Sequence, residues 1–180
     1  MSTLPAPGVY TVDAVHSSVN FSVRHLMAAK VRGQFTEFSG EITIGDSAEA
    51  SKVSATVQAA SITTNNEMRD GHLKSADFLD LENHPTLTLV SKSVRANGSK
   101  YVLEADLTIR GVTKTVNFDL EFLGTGPSMV PNTTIVAFEA TTEIDRRDFG
   151  VNFEGALENG SVVVGHKVNL ELVIEASKEG

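Results

Sequence analysis

The sequence predicts an all-β protein, an antiparallel barrel of about eight strands with a short helical insertion near residues 65–82. Three observations lead there. Hydrophobicity alternates with a period of two along nearly the whole chain, turn dipeptides join neighbouring segments at short range, and one stretch alone breaks the pattern.

The alternation is clearest from position 112 onward. Val112, Val116, Phe118, Leu120 and Phe122 share one parity, against Thr113, Thr115, Asn117, Asp119 and Glu121, as in a strand with one buried face. Val162, Val164, Val168, Leu170, Leu172 and Ile174 repeat it against Lys167, Asn169, Glu171 and Glu175. Val19, Phe21 and Val23, then Val53, Ala55 and Val57, then Tyr101, Leu103, Leu107 and Ile109 give three more such runs.

Turn chemistry sets the register between them. Asn97-Gly98 suits a type I′ hairpin loop, which needs positive φ at both central residues, and puts Val94 and Tyr101 on one face. Continued upward, that register sets Leu87 and Leu89 against the wrong face, so a β-bulge is predicted at Ser91 to Ser93. A loop at Arg110-Gly111 opposes Ile109 to Val112 and keeps both apolar rows together. Between Val31 and Ile44 the apolar parity switches, which predicts a bend or bulge at Thr36-Glu37.

The exception is Asn65 to His84. Ser75 reads as an N-cap, and Met68, Leu73, Phe78, Leu79 and Leu81 supply apolar positions for one or two short helices. "DRRDFG", residues 145–150, suits a helical turn. Closing the strands into a barrel removes exposed edges, and a barrel of about eight strands can enclose one small ligand.

Bulk properties bound the function. A chain of 180 residues fits a single domain, with residues 1–8 expected to be flexible. The net charge of -8 opposes phosphate binding, so no nucleic-acid partner is expected. There is no cysteine for a disulfide or a thiolate nucleophile. The first residues carry neither a basic n-region nor an apolar run, and no window approaches the roughly 18 apolar residues of a membrane span. A cytoplasmic protein with no transmembrane segment is the expectation.

Few residues invite chemistry. His16 and His25 are separated by an odd number of positions, so one strand turns them to opposite faces about 30 Å apart, too far to share a metal. His25 and His166 have inward parity, but two imidazoles without a third ligand make a poor zinc site. Asp70 could orient His72 as a general base, although caps and solvated lid charges are the commoner role of such residues. Arg146 or Arg147 could hold an anionic head group, or simply pair with Asp145 and Asp148. No nucleophile elbow, P-loop or dinucleotide fingerprint occurs.

Taken in order, "VDAVHSSVNFSVRHLM", "VRGQFTEFSGEI", "SITTNNEMRDGHLKSADFLD", "ADLTIRGVTKTVNFDLEF" and "DRRDFGV" resemble the YceI-like family, over about Tyr10 to Glu175. The resemblance implies an extended, lipocalin-like barrel with an inserted helix, holding a long polyisoprenoid or isoprenoid quinone in an apolar tunnel. It also implies that some members are periplasmic and some dimeric, and it supplies no catalytic residues. His16-Ser17, then Arg69, Asp70, His72 and Leu73, then Arg146, Asp148, Phe149 and Gly150 match family motifs and imply positions that hold barrel and lid together. Tyr10 stands where a tryptophan is common, and Leu79 and Leu89 replace aromatics.

The expectation is a non-catalytic carrier with an isoprenoid-like lipid as partner, a homodimer as a further possibility, and neither cofactor nor metal. Phe21, Val23, Phe35, Phe38, Leu107, Phe118, Leu120, Val164, Val168 and Leu170 would line the interior, with Met68, Leu73 and Phe78 closing one end and His25 and His166 orienting the ligand. The alternatives are a hydrolase- or isomerase-type enzyme using a cavity histidine on a small hydrophobic substrate, and a closed barrel acting through its surface.

Overall fold

The computed structural model describes residues 4–26, 28–155 and 163–180. Its strands are β1 (Gly8–Val12), β2 (Ser18–His25), β3 (Ala29–Phe35), β4 (Phe38–Ile44), β5 (Lys52–Gln58), β6 (Ile62–Thr63), β7 (Thr86–Asn97), β8 (Lys100–Ile109), β9 (Val112–Pro127), β10 (Thr133–Asp145) and β11 (Val164–Glu179). The helix α1 spans Glu67–Lys74, and 3₁₀ turns cover Ala59–Ser61 and Arg146–Phe149.

All pairings are antiparallel, in the order β1-β4-β5-β7-β8-β9-β10-β11, and β11 returns to β1, so eight strands close a barrel. The shorter strands are sections of bent staves. β11 pairs with β2 through Val164 to Val173 and with β1 through Ala176 and Ser177, so β1 and β2 form one stave interrupted at residues 13–17. At that break Asp13 Oδ1 accepts from the backbone N–H groups of Val15 and His16, a local turn that competes with the ladder.

The parity switch between Val31 and Ile44 has the same cause. The stave breaks at Thr36-Glu37, where β3 turns to β2 and β6 while β4 turns to β1 and β5. The 3₁₀ turn at Ala59–Ser61 follows the bend, since Gln58 N donates to Glu37 O and Thr36 N to Ser61 O.

Two register expectations are met. The β7–β8 ladder shifts between Ser91 and Ser93, which restores Leu89 opposite Leu107, and Ile109 faces Val112 across the Arg110-Gly111 loop. A third is corrected. The β7–β8 loop is Gly98-Ser99, because Asn97 pairs with Lys100 and only Gly98 has positive φ (64°). Val94 and Tyr101 still share the buried face, since this loop moves the pairing by a whole side-chain period.

Ser75 is likewise not an N-cap. Asn66 caps α1 by accepting from Arg69 N, and Ser75 ends it, its hydroxyl donating to His72 O (2.6 Å). Residues 76–79 continue as hydrogen-bonded turns, so there is one helix here and none of its residues is buried. Val162 lies outside the described residues. At the N-terminus Leu4 packs on the core and Pro5 is buried. Tyr10 is fully buried, and its hydroxyl donates to Ala6 O (2.8 Å).

The β8–β9 loop gives a direct check on this fold. Gly111 has φ 71°, and a Cβ there would lie 2.7 Å from the His84 ring. Gly111→Ala is therefore expected to lower stability by about 1–2 kcal/mol, seen as a reduced urea midpoint with an unchanged m-value.

Candidate functional site: an apolar cavity and its lid

The inward side chains of all eight staves leave a cavity of about 290 Å³. Its walls are almost wholly apolar, and among the described residues no histidine or carboxylate lines it; the charged lining residues are Lys52 and Arg146. On β8 the lining runs from Tyr101 to Ile109, about 26 Å along the strand and about 20 Å along the axis of a tilted barrel.

Twelve of the residues expected to face a ligand line this space: Phe21, Val23, Phe35 and Phe38 from the first staves, Leu73 and Phe78 from the excursion, Leu107, Phe118 and Leu120 from β8 and β9, and Val164, Val168 and Leu170 from β11. Three do not. Met68 is 87% exposed on the outer side of α1, because that helix straps the rim and buries none of its residues. His25 keeps inward parity but ends β2, beyond the cavity.

His166 is displaced by a bulge. Val164 pairs with His25 and Val168 with Val23, so residues 165–167 all oppose Arg24 and strict alternation is suspended. His166 Nε2 instead meets the Glu154 carboxylate at 2.8 Å, and that bond holds the Glu154 pKa below its usual value.

The bulge also explains Arg146, whose buried guanidinium is taken up by backbone carbonyls and lies 3.9 Å from the Glu154 carboxylate. Its Nε donates to Gly165 O (2.9 Å), one terminal nitrogen to Val151 O (2.7 Å) and the other to Val164 O (3.1 Å). Val164 O and Gly165 O are carbonyls that the interrupted ladder leaves for other donors, and Val151 O belongs to the connection after the 3₁₀ turn. Burial lowers the Arg146 pKa.

The same end is closed by the excursion. Phe78, His72 and Phe153 form a three-ring cluster with centroids 4.9–5.1 Å apart. Arg110, at φ 52° in the β8–β9 loop, reaches back to donate to Ala76 O (2.5 Å) and Phe78 O (2.6 Å). Asp70 does not orient His72. It accepts from Thr64 N and Thr64 Oγ1, and Arg69 donates to Thr64 Oγ1 and O, so both anchor α1 to the residue that follows β6. The partner of His72 is Asp77, at 2.8 Å.

At the opposite face of the first stave, His16 Nδ1 meets Asp13 Oδ2 at 2.7 Å, which raises the His16 pKa. Glu175 joins them, with one donor atom from each residue within 4.8 Å of the others. Ser17 Oγ donates to Glu175 O and accepts from Glu175 N, so the group braces the break in the stave. The motif residues thus hold the barrel together.

Sequence reasoning missed Phe138, Phe149, Val151 and Ile174 as lining, and Arg110 as the lid clamp. The parity of Val136, Phe138 and Ala140 is the signal for the first. Nothing in the sequence marks Arg110, because its partners lie 32 and 34 positions away.

Arg147 pairs through two nitrogens with Asp145 (3.0 and 2.6 Å). That guanidinium, more than the nearby Lys167, holds the Asp145 carboxyl far below the usual range. A depressed carboxylate adds stability that is complete above the unfolded Asp value, about 3.9, and is lost as pH falls through the folded one. Below about pH 4 the wild-type chain should therefore lose stability more steeply than Arg147→Gln, in urea midpoints taken across that range.

The comparisons agree with this geometry. The YceI-like domain model matches residues 10–176. UPF0312 protein SAS2572 of Staphylococcus aureus (strain MSSA476) is 40% identical over 170 residues, covering 93% of this chain and 96% of that protein. Among solved structures, BcnA of Burkholderia cenocepacia superposes with a TM-score of 0.77 at 22% identity, covering 91% of this chain and 98% of the other. A polyisoprenoid binding domain from Saccharophagus degradans, implicated in plant cell wall breakdown, superposes with a TM-score of 0.63 at 16% identity, covering 93% and 97%. At these identities the two structures share the fold. By the domain match over most of its length, this chain belongs to the YceI-like family.

Proposed function

We propose that the chain binds a long isoprenoid-type lipid inside the barrel and carries or stores it without transforming it. The observation behind this is the elongated apolar cavity, whose described lining offers neither histidine nor carboxylate for acid–base work. Its shape suits a chain. Each 100 Å² of apolar surface taken from water contributes about 2.5 kcal/mol, against the cost of ordering a flexible ligand. The fold shared with a polyisoprenoid binding domain supports the same class.

A polyprenol and the tail of an isoprenoid quinone offer the same repeating methyl-branched surface, so the tail and not the head group is the recognised part. The test is displacement of Nile red from delipidated protein. A long polyprenol should displace the dye at one equivalent, and a short terpene alcohol only at large excess. Failure of the polyprenol to displace a bound dye overturns the reading.

A further inference from the structure

The hairpin formed by β2 and β3 carries features that the barrel does not explain. Arg24 lies directly opposite Lys30, and Arg32 follows on the same outward face. Like charges directly opposed across two strands are destabilising. No carboxylate among the described residues comes within ion-pairing distance of these three cations; at this end Asp145 is held by Arg147 and Lys167, and Glu154 by His166 and Arg146. Residues 14–36 contain no Asp or Glu at all, in a chain of net charge -8.

The tip of the hairpin is apolar. Leu26 is 44% exposed and sits at φ 50°, a conformation that costs a leucine energy and that glycine or asparagine would adopt more readily. Its backbone N–H donates to Val163 O (3.0 Å), next to the first residue of β11. Protection of an open edge accounts for part of this, since among the described residues β3 has no second neighbour over Ala29 to Gly33 and charged side chains discourage edge pairing. It accounts for neither Arg24, on the inner strand, nor the exposed leucine.

From the other face of the same hairpin, Phe21 and Val23 line the cavity. We propose that the β2–β3 hairpin docks the barrel onto an anionic lipid bilayer, with Arg24, Lys30 and Arg32 on phosphate head groups and Leu26 in the interface. This rests on the isoprenoid-carrier reading, because it places the cavity end at the bilayer that would hold such a lipid.

The test is co-sedimentation of the full chain with vesicles of phosphatidylcholine alone or mixed with phosphatidylglycerol. Binding should require phosphatidylglycerol and weaken with salt. Each cation lost should reduce partitioning about fivefold, so the double variant R24E/K30E should fall at least about 25-fold. K92E/R95E changes net charge equally on β7 and should bind like wild type. Equal loss in both variants, or equal binding to both vesicle types, overturns the proposal. Polyprenol uptake from detergent micelles separates the two claims: uptake without vesicle binding defeats docking alone, and vesicle binding without uptake defeats the carrier reading alone. R24E/K30E should keep wild-type uptake from micelles, which also shows that it folds.

Discussion

Arg146→Ala should destabilise the protein by about 3–5 kcal/mol, roughly a fifth or more of the stability of a typical domain. The side chain is 5% exposed and satisfies three backbone carbonyls from two segments, Val151 on the connection after the 3₁₀ turn and Val164 and Gly165 in the β11 bulge. Removing it leaves these buried and partly buried acceptors without their donor, and an unmade hydrogen bond costs more than a made one contributes. Arg146→Met keeps most of the volume and none of the donors. It should lie close to Arg146→Ala in a urea titration; recovery towards wild type would show that the side chain acts by packing. Arg146→Lys keeps the charge but cannot span three acceptors in a fixed fork, and should restore less than half of the loss.

The second large effect is expected at Phe118. This ring is 1% exposed, faces Leu103 across the ladder and lines the cavity. Phe118→Asp removes a packed aromatic, about 3–5 kcal/mol, and buries a carboxyl with no partner, several kcal/mol more. The variant should be unfolded at room temperature or, where folded, devoid of lipid. Because unfolding alone would be uninformative, Ala140→Phe provides a milder test. Ala140 is buried and borders the cavity from β10, so the added ring enters existing space with little overpacking. A cooperative thermal transition with at least tenfold weaker dye and polyprenol binding is the expected result. Unchanged binding in a folded Ala140→Phe variant would show that ligands do not occupy this cavity.

Much of the barrel is legible in the sequence because a half-buried strand writes its geometry in every second residue. The β8–β9 hairpin and the β7 bulge follow from parity and turn chemistry alone. Errors fall where short-range signals have more than one solution. Asn97-Gly98 and Gly98-Ser99 satisfy the same alternation, and Ser75 offers its hydroxyl to a carbonyl behind it as readily as to an amide ahead. The lining was readable in regular strands and was lost where regularity ends: at the end of β2 for His25, in the β11 bulge for His166, and on an exposed strap helix for Met68.

The polar partnerships are a different case. Glu175 meets the local Asp13–His16 pair, and Arg110 meets Ala76 and Phe78, only in the folded chain, which brings together residues remote in sequence. Periodicity carries no information about such pairs. Asp70 and His72, which invite a catalytic reading, and Arg146, which invites an anion-binding one, instead bind the lid and the bulge to the barrel.

The central claim, a lipid held in the barrel, is tested most directly by purifying the protein without detergent, extracting it with organic solvent and analysing the extract by mass spectrometry. The account predicts an isoprenoid-type lipid in about equimolar amount, recovered with wild type and depleted from Ala140→Phe. An extract free of such lipid, from protein exposed to total host lipids before repurification, would contradict it.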